Sequence, residues 1–226
     1  MEGFSLREEL RCPGRTPVMF NIYHCMISND RANRSPIVAA FDLHQILLMS
    51  SKVPPLTLPL RIAMIGSGAV SRHHFPAFRD RPDVIRLSAI CEKNPQAASA
   101  FAAQFSYPVP IFDELDDLLE KTPVDSALVA LPHNLHFPVA SKLVAEGIPV
   151  LVEKPLTCSL EEARSLKKLS SETGVPVVAG QMLRFANDVI WLKEWVSKDA
   201  GNFGALRTFD IQSWQNILAY VNSSGD

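Results

Sequence analysis

The 226-residue chain lacks three things, and each absence removes a class of protein. Its four cysteines, Cys12, Cys25, Cys91 and Cys158, form no CxxC pair. They therefore offer neither a disulfide framework nor a zinc-ligand spacing, and a reducing, cytoplasmic setting is expected. Long apolar runs are missing too. The stretch from Pro36 to Met49 is broken by Asp42, His44 and Gln45 and falls short of the roughly 20 residues a membrane helix needs, so no membrane association is expected. Glu2, Glu8 and Glu9 among the first arginines argue against a secretory or transit leader. There is no basic excess either. With 22 Lys and Arg against 24 Asp and Glu, the net charge is −2, which gives no footprint for the phosphates of nucleic acid.

What is present is an ordinary globular composition, 47% hydrophobic and 20% charged, which excludes wholesale disorder. At roughly 150 residues per domain, the length corresponds to about one and a half domains. Residues 1–59 show no sustained hydrophobic period and contain loop-forming pairs such as Pro13-Gly14 and Pro54-Pro55. They read as a weakly ordered or short helical extension, from which no function follows.

From Leu60 onward, apolar runs of strand length alternate with helical patterns of about 10 to 15 residues, the signature of βαβ units around a parallel sheet. Six strands are predicted: Leu60 to Ile65, Ile85 to Cys91, Val109 to Phe112, Asp125 to Leu131, Pro149 to Glu153 and Val175 to Gly180. Each is short and rich in Val, Ile or Leu, as strands buried on both faces must be. Five helices fall between them. One begins near Ser71, one runs from Pro95 to Phe105, and one follows Asp113 as its cap. A fourth carries Phe137, Ala140, Leu143 and Val144 on one face, and a fifth opens with the capping box Ser159 to Glu162. Gly147 and Gly174 stand where helices close.

Beyond Gly180 the pattern predicts a helix around Asp188 to Val196, a turn at Gly201 to Gly204 and a half-exposed strand from Leu206 to Trp214. A lone strand cannot bury its own face. The fold class expected is therefore α/β, a Rossmann-type doubly wound parallel sheet over residues 60–181. An incomplete α+β second domain follows over residues 182–226, with its last strand available to a homo-oligomer.

Gly66-Ser67-Gly68-Ala69-Val70-Ser71 lies between the first strand and the first helix, where a dinucleotide fingerprint places pyrophosphate on a helix N-terminus. Gly66 makes the tight turn, Gly68 lets the backbone approach the phosphates, and Ser71 stands in for the third glycine. About 24 residues past Gly68, Glu92 closes the second strand, where a carboxylate accepts hydrogen bonds from the adenosine ribose hydroxyls. Lys93 beside it tolerates a 2′-phosphate that Glu92 repels. NAD is thus slightly preferred, with NADP left open. His133 and His136 are three apart, but the sequence places no third ligand, and catalytic zinc needs three, so no metal is expected. His73-His74 begins the first helix, facing core or solvent.

Glu153-Lys154-Pro155 ends the fifth strand, at the carboxyl edge where open α/β sheets bind ligands. A second segment, Leu131-Pro132-His133-Asn134-Leu135-His136, follows the fourth strand, and Arg184-Phe185 precedes the Gly201 turn. With the glycine loop, these segments make the sequence from Leu60 to about Trp214 resemble the Gfo/Idh/MocA family of NAD(P)-dependent oxidoreductases, which act largely on sugars, polyols and related hydroxy compounds. The resemblance implies a Rossmann domain followed by a mostly antiparallel α/β domain. It implies Lys154 as the active-site lysine and Glu153 as a positioning residue near the cofactor. Leu131, Pro132, His133 and His136 fall on the nicotinamide side, with Ser67, Ala69 and Val70 in the phosphate loop. An ammonium at a strand end can hydrogen-bond a reacting oxygen or shuttle a proton, and Pro155 restricts the Lys154 backbone.

Members of that family usually continue well beyond this endpoint, through a domain containing an Asp and a His that complete the catalytic group. The sequence locates neither: His24 and His44 lie outside the matched region, and no histidine follows His136. Two expectations follow. The first is an oxidoreductase transferring hydride between nicotinamide and a small hydroxy or carbonyl compound. The alternative is a truncated, non-catalytic dinucleotide-binding module that needs a partner.

Overall fold

Short apolar strands joined by helices can pair in parallel only through crossovers. The computed structural model, which describes residues 57–203 with side chains to 196, shows that arrangement. Strands β1 (Leu60–Ile65), β2 (Ile85–Cys91), β3 (Ile111–Phe112), β4 (Ser126–Val129), β5 (Val150–Val152) and β6 (Val177–Ala179) form one sheet. Its order is β3-β2-β1-β4-β5-β6, and every pair is parallel. Strands β2 and β3 build outward on one side of β1 and β4, β5 and β6 on the other, the doubly wound topology expected from the sequence.

The helices are α1 (Phe75–Asp80), α2 (Pro95–Ala102), α3 (Leu115–Lys121), α4 (His136–Ala145), α5 (Leu160–Thr173) and α6 (Asn187–Phe203). Successive β1 side chains serve opposite faces of the sheet. Ile62 and Met64 pack with Phe78, Ile90 and Phe101, while Ala63 and Ile65 pack with Leu118, Leu143 and Leu166. Both faces are buried, which is why β1 reads as an apolar run interrupted only by the exposed Arg61. On the first face Phe105 gathers the edges of Phe75, Phe78, Phe101 and Tyr107 at centroid distances of 5.2 to 5.8 Å. Such contacts add to area burial.

Several local expectations are corrected. The segment after the glycine loop is a 3₁₀ turn, Ala69–His73, before α1 begins. Asp113 does not cap α3: Glu114 holds that position, without a side-chain bond. The capping serine of α5 does accept from the Glu162 amide at 3.1 Å, but the Glu162 carboxylate reaches one residue further back, to the amide of Cys158. Helix α6 runs on to Phe203, so Gly201 lies within it rather than in a turn. Strands β3 to β6 are shorter than their apolar runs, because the flanking residues leave the ladder to form loops. The strand expected over 206–214 and most of the N-terminal extension lie outside the described residues.

Among the described residues, 57–190 belong to one compact unit and 191–203 to a second, in which the rings of Trp191 and Trp195 stack. No helix among the described residues is long and apolar enough to cross a membrane.

Candidate functional site

Because all six strands are parallel, the loops that leave their carboxyl ends share one edge of the sheet. The order reverses between β1 and β4, the switch point at which such sheets bind ligands. Backbone bonds carry the ladder into these loops: Gly66 N–H donates to Cys91 O at 2.9 Å, Ala130 N–H to Ile65 O at 2.7 Å, and Glu153 N–H to Val129 O at 2.9 Å.

The glycine loop divides its duties. Gly66 has φ +91°, and a Cβ there would lie 2.4 Å from the Ala130 carbonyl oxygen, so the fold itself demands glycine. A Cβ at Gly68 would meet nothing within 4 Å. The fold places no demand there, and the space in front of Gly68 is where a diphosphate could approach the backbone. Ala69 is exposed and Val70 half-buried. Ser71 is buried, with its hydroxyl donating to Gly68 O at 2.7 Å, and thereby fills the place of a third glycine. The first amides of a helical turn have no partner within it, which leaves donors for an anion.

Glu92 is half-buried beside this loop. Its Oε2 accepts from the Ser67 amide at 2.8 Å and the Ser67 hydroxyl at 3.2 Å, while Oε1 accepts from the Asn94 amide at 2.9 Å. The carboxylate is thus fixed at the end of β2, and lone pairs remain for further donors. Lys93 turns away to pair with Glu114 at 3.3 Å, both being exposed.

Across the switch point, Leu131 is half-buried, and Pro132 and His133 are exposed. Lys154 is exposed at the end of β5. The bond from Lys154 to Pro155 is cis. Two expected cofactor residues are corrected in one respect: the side chains of Glu153 and His136 face the interior, at 3% and 0% exposure. Glu153 Oε1 meets His74 Nε2 at 2.7 Å, and its Oε2 accepts from the Lys154 amide at 3.1 Å. Burial pushes the Glu153 carboxyl up, but the bond to and charge of His74, with the Lys154 amide, outweigh it and hold it below its ordinary value. His136 Nδ1 lies 2.7 Å from Pro155 O and its Nε2 2.8 Å from Leu131 O.

His74 is the residue that sequence reasoning missed. His73 is exposed and His74 buried, and a partner 79 residues away leaves no local pattern to read. Among the described residues no three His, Cys, Asp or Glu side chains gather as a metal site would require.

The model of the Gfo/Idh/MocA group, an oxidoreductase family with an NAD-binding Rossmann fold, matches residues 60–181. Inositol 2-dehydrogenase of Corynebacterium glutamicum is 33% identical over 151 residues, covering 66% of this chain and 44% of the relative. The rhizopine catabolism protein MocA of Rhizobium meliloti is 26% identical over 154 residues, 68% of this chain and 47% of the relative. Among solved structures, the WlbA dehydrogenase of Bordetella pertussis, in complex with NADH and UDP-GlcNAcA, superposes with a TM-score of 0.60 at 26% identity. It covers 65% of this chain and 43% of its own. The chain therefore spans less than half the length of these relatives.

Proposed function

This chain belongs to the Gfo/Idh/MocA family of oxidoreductases, and from that membership we propose that it binds NAD and uses Lys154 in hydride transfer to or from a small polyol, sugar or related hydroxy compound. The observation that carries the reading is the placement of an exposed lysine on the same sheet edge as a glycine loop with open space in front of Gly68. The residues fit a dinucleotide. Gly68 and the turn after it would receive the diphosphate and Glu92 the ribose hydroxyls, while Leu131, Pro132 and His133 would flank the nicotinamide. When bound, the nicotinamide supplies the hydride donor or acceptor. As a neutral amine Lys154 would take the hydroxyl proton when the alcohol is oxidised, becoming an ammonium, and as an ammonium it would return that proton to the oxygen when the carbonyl is reduced. Glu92, already fixed by Ser67 and Asn94, favours NAD over NADP, since its charge opposes a 2′-phosphate. The polyol class is supported by the relatives' names, inositol 2-dehydrogenase among them. A cytoplasmic setting fits the free thiols of Cys91 and Cys158.

The test is a titration with NADH and NADPH, read by cofactor fluorescence and thermal shift. A hundredfold excess over the dissociation constant should add about 2.7 kcal/mol of stability. Gly68→Asp, which sets a carboxylate against the diphosphate, should abolish the effect, and Lys154→Ala should keep it. A folded wild-type chain that neither NADH nor NADPH stabilises overturns the reading.

A further inference from the structure

Two buried histidines converge on Glu153-Lys154-Pro155 from different parts of the chain. His74 follows the 3₁₀ turn of the phosphate loop, and its Nε2 lies 2.7 Å from Glu153 Oε1, both side chains being almost fully buried. A carboxylate accepts, so Nε2 carries the proton; Nδ1 is buried without a partner. The other Glu153 oxygen accepts from the Lys154 amide itself. His136 opens α4 and reaches Pro155 O through Nδ1 and Leu131 O through Nε2. Carbonyl oxygens only accept, and a neutral imidazole has one N–H, so both contacts are hydrogen bonds in the doubly protonated ring and only one is in the neutral ring.

The exposed lysine is thus bracketed. The carboxylate of the residue before it is tied to the phosphate-loop segment, and the carbonyl of the residue after it is tied to the loop leaving β4. Polar groups are costly to bury, and replacing a buried pair whole by well-packed apolar residues of similar volume is often no worse for stability. What the two rings supply, and apolar residues could not, is direction. We propose, resting on the assignment of Lys154 above, that His74 and His136 are positioning residues that aim the Lys154 side chain at the nicotinamide and lock it to the phosphate loop.

The experiment is competitive acetylation of the full chain with trace acetic anhydride, read lysine by lysine by mass spectrometry, with and without NADH. In the wild type, NADH should slow acetylation of Lys154 by about tenfold relative to the exposed Lys121 and Lys168, the effect of about one well-placed hydrogen bond to a charged group. His74→Leu and His136→Leu should lose that protection while the NADH affinity stays within about threefold of wild type, a change worth less than 1 kcal/mol. His74→Gln and His136→Asn, which keep the donors toward Glu153 and Pro155, should restore it. Unchanged protection in both leucine variants overturns the proposal. So does a parallel loss of protection and affinity, which would mark a merely structural role. Should His74→Leu fail to fold, His74→Asn, whose amide is too short to reach Glu153, replaces it with the same expected outcome. If the wild type does not bind NADH, the proposed function falls and the brackets are read by hydrogen exchange. His74→Leu should then speed exchange of the Lys154 amide by about tenfold relative to that of Val129, and equal rates overturn the proposal.

Discussion

His74 Nε2 lies 2.7 Å from Glu153 Oε1, joining the end of the phosphate-loop segment to the end of β5 inside the protein. A buried pair of this kind is weak evidence for net stability, but breaking it by removing one partner leaves a charge with neither water nor a counter-group.

The cost of breaking it should depend on pH. The Glu153 carboxyl is held below its ordinary value of 4.5 in the folded chain. A depressed carboxyl stabilises the fold above its unfolded-state value, and that stabilisation is lost as pH falls through the lower folded-state value. His74→Leu should therefore cost most at neutral pH, about 3–5 kcal/mol. The gap in melting temperature from wild type should narrow on acidification below 4.5. Thermal unfolding across a pH series checks this, and a gap that does not change with pH would mean that Glu153 is not the group involved.

The two loop glycines should separate folding from binding. Gly66→Ala should lower stability by more than about 1 kcal/mol, because its Cβ meets the Ala130 carbonyl and φ is +91°. Gly68→Ala should stay within about 0.5 kcal/mol of wild type, since nothing lies within 4 Å of its Cβ. Its affinity for NADH should fall instead. Melting curves and fluorescence titrations of the two variants decide between these outcomes.

Glu92→Ser should relax the choice of cofactor. Removing the carboxylate takes away repulsion of a 2′-phosphate and bonds to ribose hydroxyls, so the ratio of NADH to NADPH affinity should drop by about tenfold. Parallel titrations would show it, and an unchanged ratio would mean that the discriminating group lies elsewhere.

Cys91 and Cys158 should react unequally. Burial, then the charges of Glu114, Glu92 and Asp113, push the Cys91 thiol up to about 11, whereas Cys158 is exposed. The thiolate is the nucleophile. Iodoacetamide at mildly alkaline pH should therefore label Cys158 in the native chain and reach Cys91 only after unfolding, as peptide mapping would show.

Much of the sheet was legible because its chemistry is local. A strand buried on both faces must be an apolar run, and β1 and β2 match their predicted limits from end to end. Where the run continued into a loop, as at Ala130 and Leu131, composition could not show that the ladder had stopped. Asp113 failed as a cap because the chain turns into α3 one residue later, at Glu114, whose side chain makes no capping bond. In the site, Gly66, Glu92 and Lys154 follow motifs that spacing exposes. His74 does not, since its meaning comes from a carboxylate brought to it only when β5 docks beside β4.

The central place of β1 also bears on how the chain is made. Its neighbours are β2, which follows soon after, and β4, whose entry point Asp125 is 64 residues beyond Arg61, with which it forms a bidentate pair. During synthesis the strand that becomes the middle of the sheet emerges first, and one of its edges stays bare until β4 leaves the ribosome. Ile62 and Met64 pass that interval without their β4 partners Ser126 and Leu128, so a slow β1–β4 pairing exposes an unpaired strand edge to other chains. Yield in the cell should then depend on chaperone capacity during that interval as much as on the stability of the finished sheet.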